Sequence, residues 1–235
     1  MHIAKIFCGF TFTKNGAYYL VSAPADCDLE DFMQQNPSNP RPDHVNFTWL
    51  LAQFRGLANA LHAIHTGIPG KFVAHRDIKP ANILVFTDPN SSTRDKVLKV
   101  SDWGSAISDL HEPNTEPGSP RSCTHVGPPY YAPECRNDGM SSRKHDVWSL
   151  GCVLLEVLIW WLKGWEYLVE WRVRRNEGNE EGFWKDGKDE LLDQVEDELE
   201  WLQKNGFPNT RRVVAEMQRF EEGKRLTAEE VARRI

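Results

Sequence analysis

Asp77, Lys79 and Asn82 place a carboxylate, an ammonium and a carboxamide within five residues, and Asp102 adds a second acid about twenty residues on. Those residue types suit phosphoryl transfer. A carboxylate orients a hydroxyl nucleophile, a cation meets the phosphate, and two oxygen ligands hold a magnesium ion. Each residue also has a plainer reading. Asp77 suits the cap of a turn, Lys79 a solvated cation, and the neighbouring His75 a packed core histidine with no chemistry.

The elements that must carry these residues are short strands and long helices. Ile3 to Phe7 and Tyr18 to Val21 are β-branched and aromatic runs joined by Lys14-Asn15-Gly16, a hairpin pattern. Pro24 cannot donate to a central ladder, so Ala23-Pro24-Ala25 reads as a connector. From Phe47 to His65 the apolar residues Leu50, Phe54, Leu57, Leu61 and Ile64 recur at steps of four and three, the stripe of an amphipathic helix. Lys71 to Val73, Ile83 to Phe86 and Val97 to Val100 read as strands, with the polar residues of interest on the loops between them. Residues 109 to 124 are rich in Pro, Ser, Thr and Gly and read as a surface loop. Glu190 to Leu202 repeats the helical pattern, and Thr227 with Glu230 makes a capping box.

With 235 residues, 40% apolar and 26% charged, the chain has the composition of a globular domain with a substantial core. A net charge of −6 argues against general nucleic-acid binding. Val147 to Trp165 is apolar enough to suggest a membrane span, but Glu156 sits near its centre, at a cost of roughly 3 kcal/mol in lipid. A buried core helix is the better reading, without a membrane partner. The five cysteines form no C-x-x-C pair and read as reduced thiols of an intracellular protein, cytoplasmic or nuclear.

In His75 to Leu84, Asp102-Trp103-Gly104, Ala132-Pro133-Glu134, the His145 to Gly151 stretch and Arg225, the chain resembles the eukaryotic protein kinase family, serine/threonine type. The resemblance implies an α+β fold. A mainly helical C-lobe (29–235, catalytic loop 75–84, activation segment 102–134) follows a β-hairpin remnant of the N-lobe and a hinge (1–28). It implies ATP and Mg²⁺ as cofactors and a protein substrate. By resemblance Asp77 is the base, Lys79 faces the transferred phosphate, and Asn82 and Asp102 are the magnesium ligands. Leu84 forms the floor under adenine, the Ala23 and Ala25 backbones meet its edge, and Ser22 guards the back of the pocket. Asp28 contacts the ribose, or else simply caps the next helix with Asp31 behind it. Asp146 is expected to hydrogen-bond the catalytic-loop backbone, and Arg225 to pair with Glu134. Arg76 beside the base implies control by activation-loop phosphorylation at Ser119, Ser122 or Thr124.

Small-molecule phosphotransferases share the Asp-to-Asn loop and the Asp-Trp pair; Ala132-Pro133-Glu134, the Asp146 helix start and Arg225 favour the protein kinases. The chain also departs from that family. Trp103 replaces the usual Phe, and Gly127 replaces the threonine that ties the catalytic acid to its lysine. No G-x-G-x-x-G occurs, and the strand lysine and helix glutamate of a complete kinase have no counterpart. At roughly 1.5–3 kcal/mol per charge-assisted hydrogen bond, their loss forfeits on the order of 5 kcal/mol of transition-state binding. That is about three to four decades in rate. The expectation is a truncated form of a longer kinase, weakly active or inactive as given. A non-catalytic kinase-like scaffold is the alternative. The open hairpin edge calls for a missing N-lobe segment or a partner to cover it.

Overall fold

The computed structural model describes residues 2–12, 17–37, 46–69, 73–88, 95–108, 121–122, 129–137, 140–177, 182–185 and 187–235. The chain opens with β1 (Ile6–Phe12) and β2 (Ala17–Ser22), an antiparallel pair in which Phe10 faces Tyr19. Their rings stack at 5.4 Å. The connecting Lys14-Asn15-Gly16 lies outside the described residues. Strand β1 starts later than the apolar run predicts, because His2 to Ala4 leave the hairpin. Val100 donates to the His2 carbonyl at 3.0 Å, and Ala4 donates to the Val100 carbonyl at 2.8 Å. The hairpin itself is thinly held: Phe7, Phe10, Leu20 and Val21 stay exposed.

After the connector come β3 (Cys27–Asp28), α1 (Leu29–Gln35) and α2 (Phe47–Thr66), then β4 (Val73–Ala74), β5 (Ile83–Thr87), β6 (Lys96–Val100) and β7 (Ile107–Ser108). Strands β3, β5 and β6 form one small antiparallel sheet, and β4 pairs with β7. Next are β8 (Arg121–Ser122), α3 (Pro133–Asn137), β9 (Met140–Ser141) and α4 (Arg143–Lys163). The chain closes with α5 (Trp165–Arg175), α6 (Asp193–Lys204), α7 (Pro208–Met217) and α8 (Ala228–Arg234). The fold is α+β and mainly helical, with its small sheets toward the N-terminus.

Helix α4 is the axis of the core. It is long and apolar enough to cross a membrane, yet nearly nine-tenths of that stretch is buried inside the protein. Every residue from His145 to Trp160 is buried. Ser142 starts it by accepting from Lys144 N at 3.0 Å. Gly164 ends it at φ +95°, where a Cβ would lie 2.9 Å from the Pro37 carbonyl oxygen, so only glycine fits. Gly151 lets α7 approach closely, since a Cβ there would meet Met217 Cβ at 2.9 Å. The tryptophans between 160 and 201 are core rather than a patch: Trp160, Trp171 and Trp184 are buried, and Trp161, Trp165 and Trp201 pack on the core edge.

The Glu156 carboxylate that argues against lipid is a buried tie point. Arg172 on α5 donates to it at 2.6 Å, Arg175 at 3.1 Å and Tyr130 Oη at 2.8 Å. Arg172 also clasps Glu30 on α1 at 2.5 and 2.9 Å. Burial alone would raise the Glu156 pKa; the Arg172 and Arg175 charges outweigh it and hold the group below its usual range.

Candidate active site

Strand β4 delivers the chain into the loop from His75 to Lys79, and a single buried carboxylate holds that loop. Asp146, on the first turn of α4, accepts from His75 N at 2.8 Å and Arg76 N at 2.7 Å. Its third partner is His65 Nε2 at 2.8 Å. This is the backbone brace the resemblance implies. Burial would raise the Asp146 pKa, but the His65 hydrogen bond and the charges of His65, His75 and His145 draw it down to about 2. The brace holds Arg76 at φ +70°, a left-handed conformation that non-glycine residues seldom adopt. Such strain costs of order 1–3 kcal/mol and persists only where the surroundings overdetermine it.

Beyond that turn the three side chains converge. Lys79 Nζ donates to Asp77 Oδ2 at 2.8 Å, and Asn82 Nδ2 donates to the same oxygen at 2.8 Å. Asn82 Nδ2 also reaches the Asp77 carbonyl at 2.8 Å, closing the loop on itself before the 3-10 turn Pro80–Asn82 feeds β5. Asp102 is brought in from the other side by sheet pairing. Ile83 lies opposite Val100, and Ser101 donates to the Asn82 carbonyl from its amide at 3.0 Å and its hydroxyl at 2.9 Å. Asp102 follows at φ +61°, exposed, with Oδ1 accepting from Gly104 N at 3.1 Å. Trp103 packs on the His75 ring at 4.9 Å, so the larger ring is accommodated. His75 itself is fully buried, Nε2 against the Ser101 carbonyl, as a core histidine should be.

The hinge residues adjoin this loop through the same sheet. Asp28 pairs with the half-buried Leu84 and Cys27 with Val85, and Asp26, next after the Ala23–Ala25 connector, donates from its amide to the Val85 carbonyl at 2.9 Å. The Asp28 side chain caps α1, its Oδ1 accepting from Asp31 N at 2.9 Å, the plainer of its two readings. Ser22 ends β2, and its hydroxyl donates to the Ala23 carbonyl at 3.3 Å. The donor set suits a hard cation. With its nitrogen spent on Asp77, Asn82 has Oδ1 left for a ligand, and Asp102 has Oδ2. Among the described residues no three His, Cys, Asp or Glu groups converge on one point. A magnesium ion at this site would depend on phosphate oxygens and water, as that ion commonly does.

A cavity of about 70 Å³ opens beside Asp77 and Lys79 and reaches Tyr130, Tyr131 and His145. Size alone does not mark the site, since a cavity of about 590 Å³ lies between α6 and α7, far from these residues in the chain. His145 was not singled out by the sequence. It is buried against Tyr131 with neither ring nitrogen hydrogen-bonded, and burial pushes its pKa from 6.5 to about 4 despite the nearby Asp146 and Glu134. The folded protein therefore binds this proton more weakly than the unfolded chain. Its contribution to stability is complete above about pH 6.5 and lost as the pH falls toward 4, about 3 kcal/mol in all. Denaturant titrations across that window should show the slope, and His145→Leu should flatten it.

Arg225 meets Glu134 as the resemblance implies, Nη1 to Oε1 at 2.6 Å and Nη2 to Oε2 at 2.9 Å. Cys8, Cys27 and Cys152 are free thiols, but Cys135 is disulfide-bonded. That corrects the expectation of five reduced cysteines: folding brings sulfurs within bonding range at a separation that spacing does not reveal. Ser119, Thr124 and Gly127 lie outside the described residues. Ser122 falls on β8, of which only the backbone is described.

The protein kinase domain family model matches residues 4–234. Among curated proteins the chain is 40% identical over 91 residues to the dual specificity protein kinase zak2 of Dictyostelium discoideum, covering 37% of this chain and 13% of that protein. It is 32% identical over 151 residues to the serine/threonine-protein kinase Nek3 of Mus musculus, covering 63% and 25%. A probable inactive serine/threonine-protein kinase of Dictyostelium discoideum is 27% identical over 164 residues, covering 62% and 18%. The chain thus spans a quarter or less of each of these relatives. A match over nearly the whole sequence, with Asp146 bracing the loop and Arg225 clasping Glu134 where that family requires them, makes this chain a member of the protein kinase family.

Proposed function

We propose that the chain transfers the γ-phosphoryl group of ATP to a serine or threonine hydroxyl of a protein substrate, at a rate limited by weak hold on the nucleotide. The supporting observation is the hydrogen-bonded set of Asp77, Lys79 and Asn82, with Asp102 one residue beyond the Ser101 bridge. With Oδ2 held by two donors, Asp77 keeps Oδ1 for the proton of a hydroxyl nucleophile. Lys79, more than a third exposed, can meet phosphoryl oxygens from that position. When bound, magnesium supplies charge neutralisation along the triphosphate; Asn82 and Asp102 would hold it. Leu84 and the Ala23 and Ala25 backbones would take the adenine. Asp28, already capping α1, keeps one carboxylate oxygen for the ribose.

A scaffold reading has its own observation. Among the described residues, the exposed hairpin places no glycine-rich loop or strand lysine over this site. Thermal-shift titration with ATP and Mg²⁺ separates the two. A stabilisation that needs both ligands and is lost in Asp102→Ala is expected of a nucleotide site. No shift at about 5 mM ATP, a concentration that detects binding as weak as about −4 kcal/mol, selects the scaffold.

A further inference from the structure

We infer that Arg172 on α5 is a positioning residue, which sets the substrate-side wall of the cavity beside Asp77 through Glu156 and Tyr130. The inference rests on the transfer reading above, which makes this cavity the seat of the residue to be phosphorylated. Tyr130 lines it together with Asp77 and Lys79. The residue lies two positions before Ala132-Pro133-Glu134, the stretch that Arg225 clasps.

Tyr130 is held at both ends. Ser149 Oγ on α4 donates to its carbonyl at 2.7 Å, and its own Oη donates to Glu156 Oε2 at 2.8 Å. The first contact fixes where the backbone runs, the second where the ring points. Burial and the Glu156 charge raise the Tyr130 pKa well above the usual phenol range, so the hydroxyl keeps the proton it donates. The ring centroid lies 6.0 Å from that of the buried Phe183.

The oxygen that receives Tyr130 is the one that Arg172 holds. Arg172 Nη2 donates to Glu156 Oε2 at 2.6 Å, while Arg175 takes Oε1 at 3.1 Å. The remaining Nη2 proton meets Glu30 Oε2 at 2.9 Å, and Nη1 meets Glu30 Oε1 at 2.5 Å. One guanidinium thus clamps an acid of α1 to an acid of α4, a task its planar fork can perform and a single ammonium cannot. Without it the buried Glu156 carboxylate keeps only Arg175 as a cationic partner on Oε1. The acceptor for Tyr130 Oη is then no longer fixed, and the wall beside Asp77 loosens. The relay is short and contiguous.

The test measures transfer from γ-³²P-ATP to a serine peptide at saturating nucleotide, in the whole chain. Arg172→Met and Tyr130→Phe should each raise the peptide KM by about tenfold, the worth of one hydrogen bond to a charged group. In both, kcat should stay within about twofold, because binding is lost and chemistry is not. A variant that has merely lost stability shows the opposite split: a lower kcat from a smaller folded fraction, at unchanged KM. Combined in one chain, the two changes should raise KM no further than either alone, since both act on Glu156 Oε2. Glu30→Gln loosens the clamp from its partly exposed side and should raise KM by about threefold; it serves if Arg172→Met fails to fold. Backbone ¹H–¹⁵N resonances of Tyr130 and Tyr131 should move in Arg172→Met and Glu30→Gln, while those of β6 stay in place. Unchanged KM, or additive effects in the double variant, overturns the inference. Unmoved Tyr130 and Tyr131 resonances overturn it whether or not the protein transfers label. Moving resonances in a protein that transfers no label overturn the transfer reading and leave the hold of Arg172 on the cavity wall standing.

Discussion

Asp77→Asn is expected to lower single-turnover phosphoryl transfer by about 10²–10⁴-fold, the usual contribution of a positioned general base. The amide is nearly isosteric and keeps one oxygen for Lys79. It cannot accept the hydroxyl proton, and its NH₂ competes with Asn82 for the space the carboxylate holds. The Asp77 side chain is a quarter exposed, so the fold should tolerate the change. The experiment follows label from γ-³²P-ATP to a serine/threonine peptide mixture at saturating nucleotide, with the melting temperature as control. Equal rates in the two proteins would remove Asp77 from the chemistry. An unchanged affinity for Mg-ATP in the variant would show that the loss lies in transfer and not in nucleotide binding.

Arg225→Met should destabilise the protein by about 3–5 kcal/mol, the cost of breaking a buried ion pair from one side. Arg225 is fully buried and makes four hydrogen bonds: two to Glu134, one to the Lys144 carbonyl and one to the Arg219 carbonyl. Its guanidinium also lies over the Trp148 ring at 5.1 Å. Methionine fills much of the volume but leaves the Glu134 carboxylate without its two-pronged donor. At about 2–4 °C per kcal/mol for a domain of this size, the melting temperature should fall on the order of 10 °C. Lysine should rescue little, because one ammonium cannot meet a carboxylate bidentately and two carbonyls at once. A loss under about 1 kcal/mol in denaturant titration would mean that the pair is no more than a surface bridge.

These two predictions differ in how far their residues could be seen beforehand. Asp77, Lys79 and Asn82 lie within one loop, where spacing nearly fixes proximity, and the contact among them is local. Arg225 and Glu134 are 91 residues apart, and only the family resemblance paired them. The amphipathic stripe of α2 and the Thr227–Glu230 capping box were legible because both are contacts within a turn or two. Helix α5 was not. Its residues carry five charges among the apolar ones, and it is held by Arg172 reaching Glu30 and Glu156, contacts 142 and 16 residues away.

By itself, then, the sequence determined the order of motifs, the helical class, the caps and the candidate reacting groups, because each depends on side-chain type and on neighbours within a few residues. The tertiary structure alone decided that His2 to Ala4 join Val100, that Arg76 and Asp102 take left-handed turns, that His65 stands behind Asp146, and that Cys135 is bonded. Each of those rests on atoms brought together across long stretches of chain. Such contacts arise from the packing of the whole core around α4, and no local pattern encodes them.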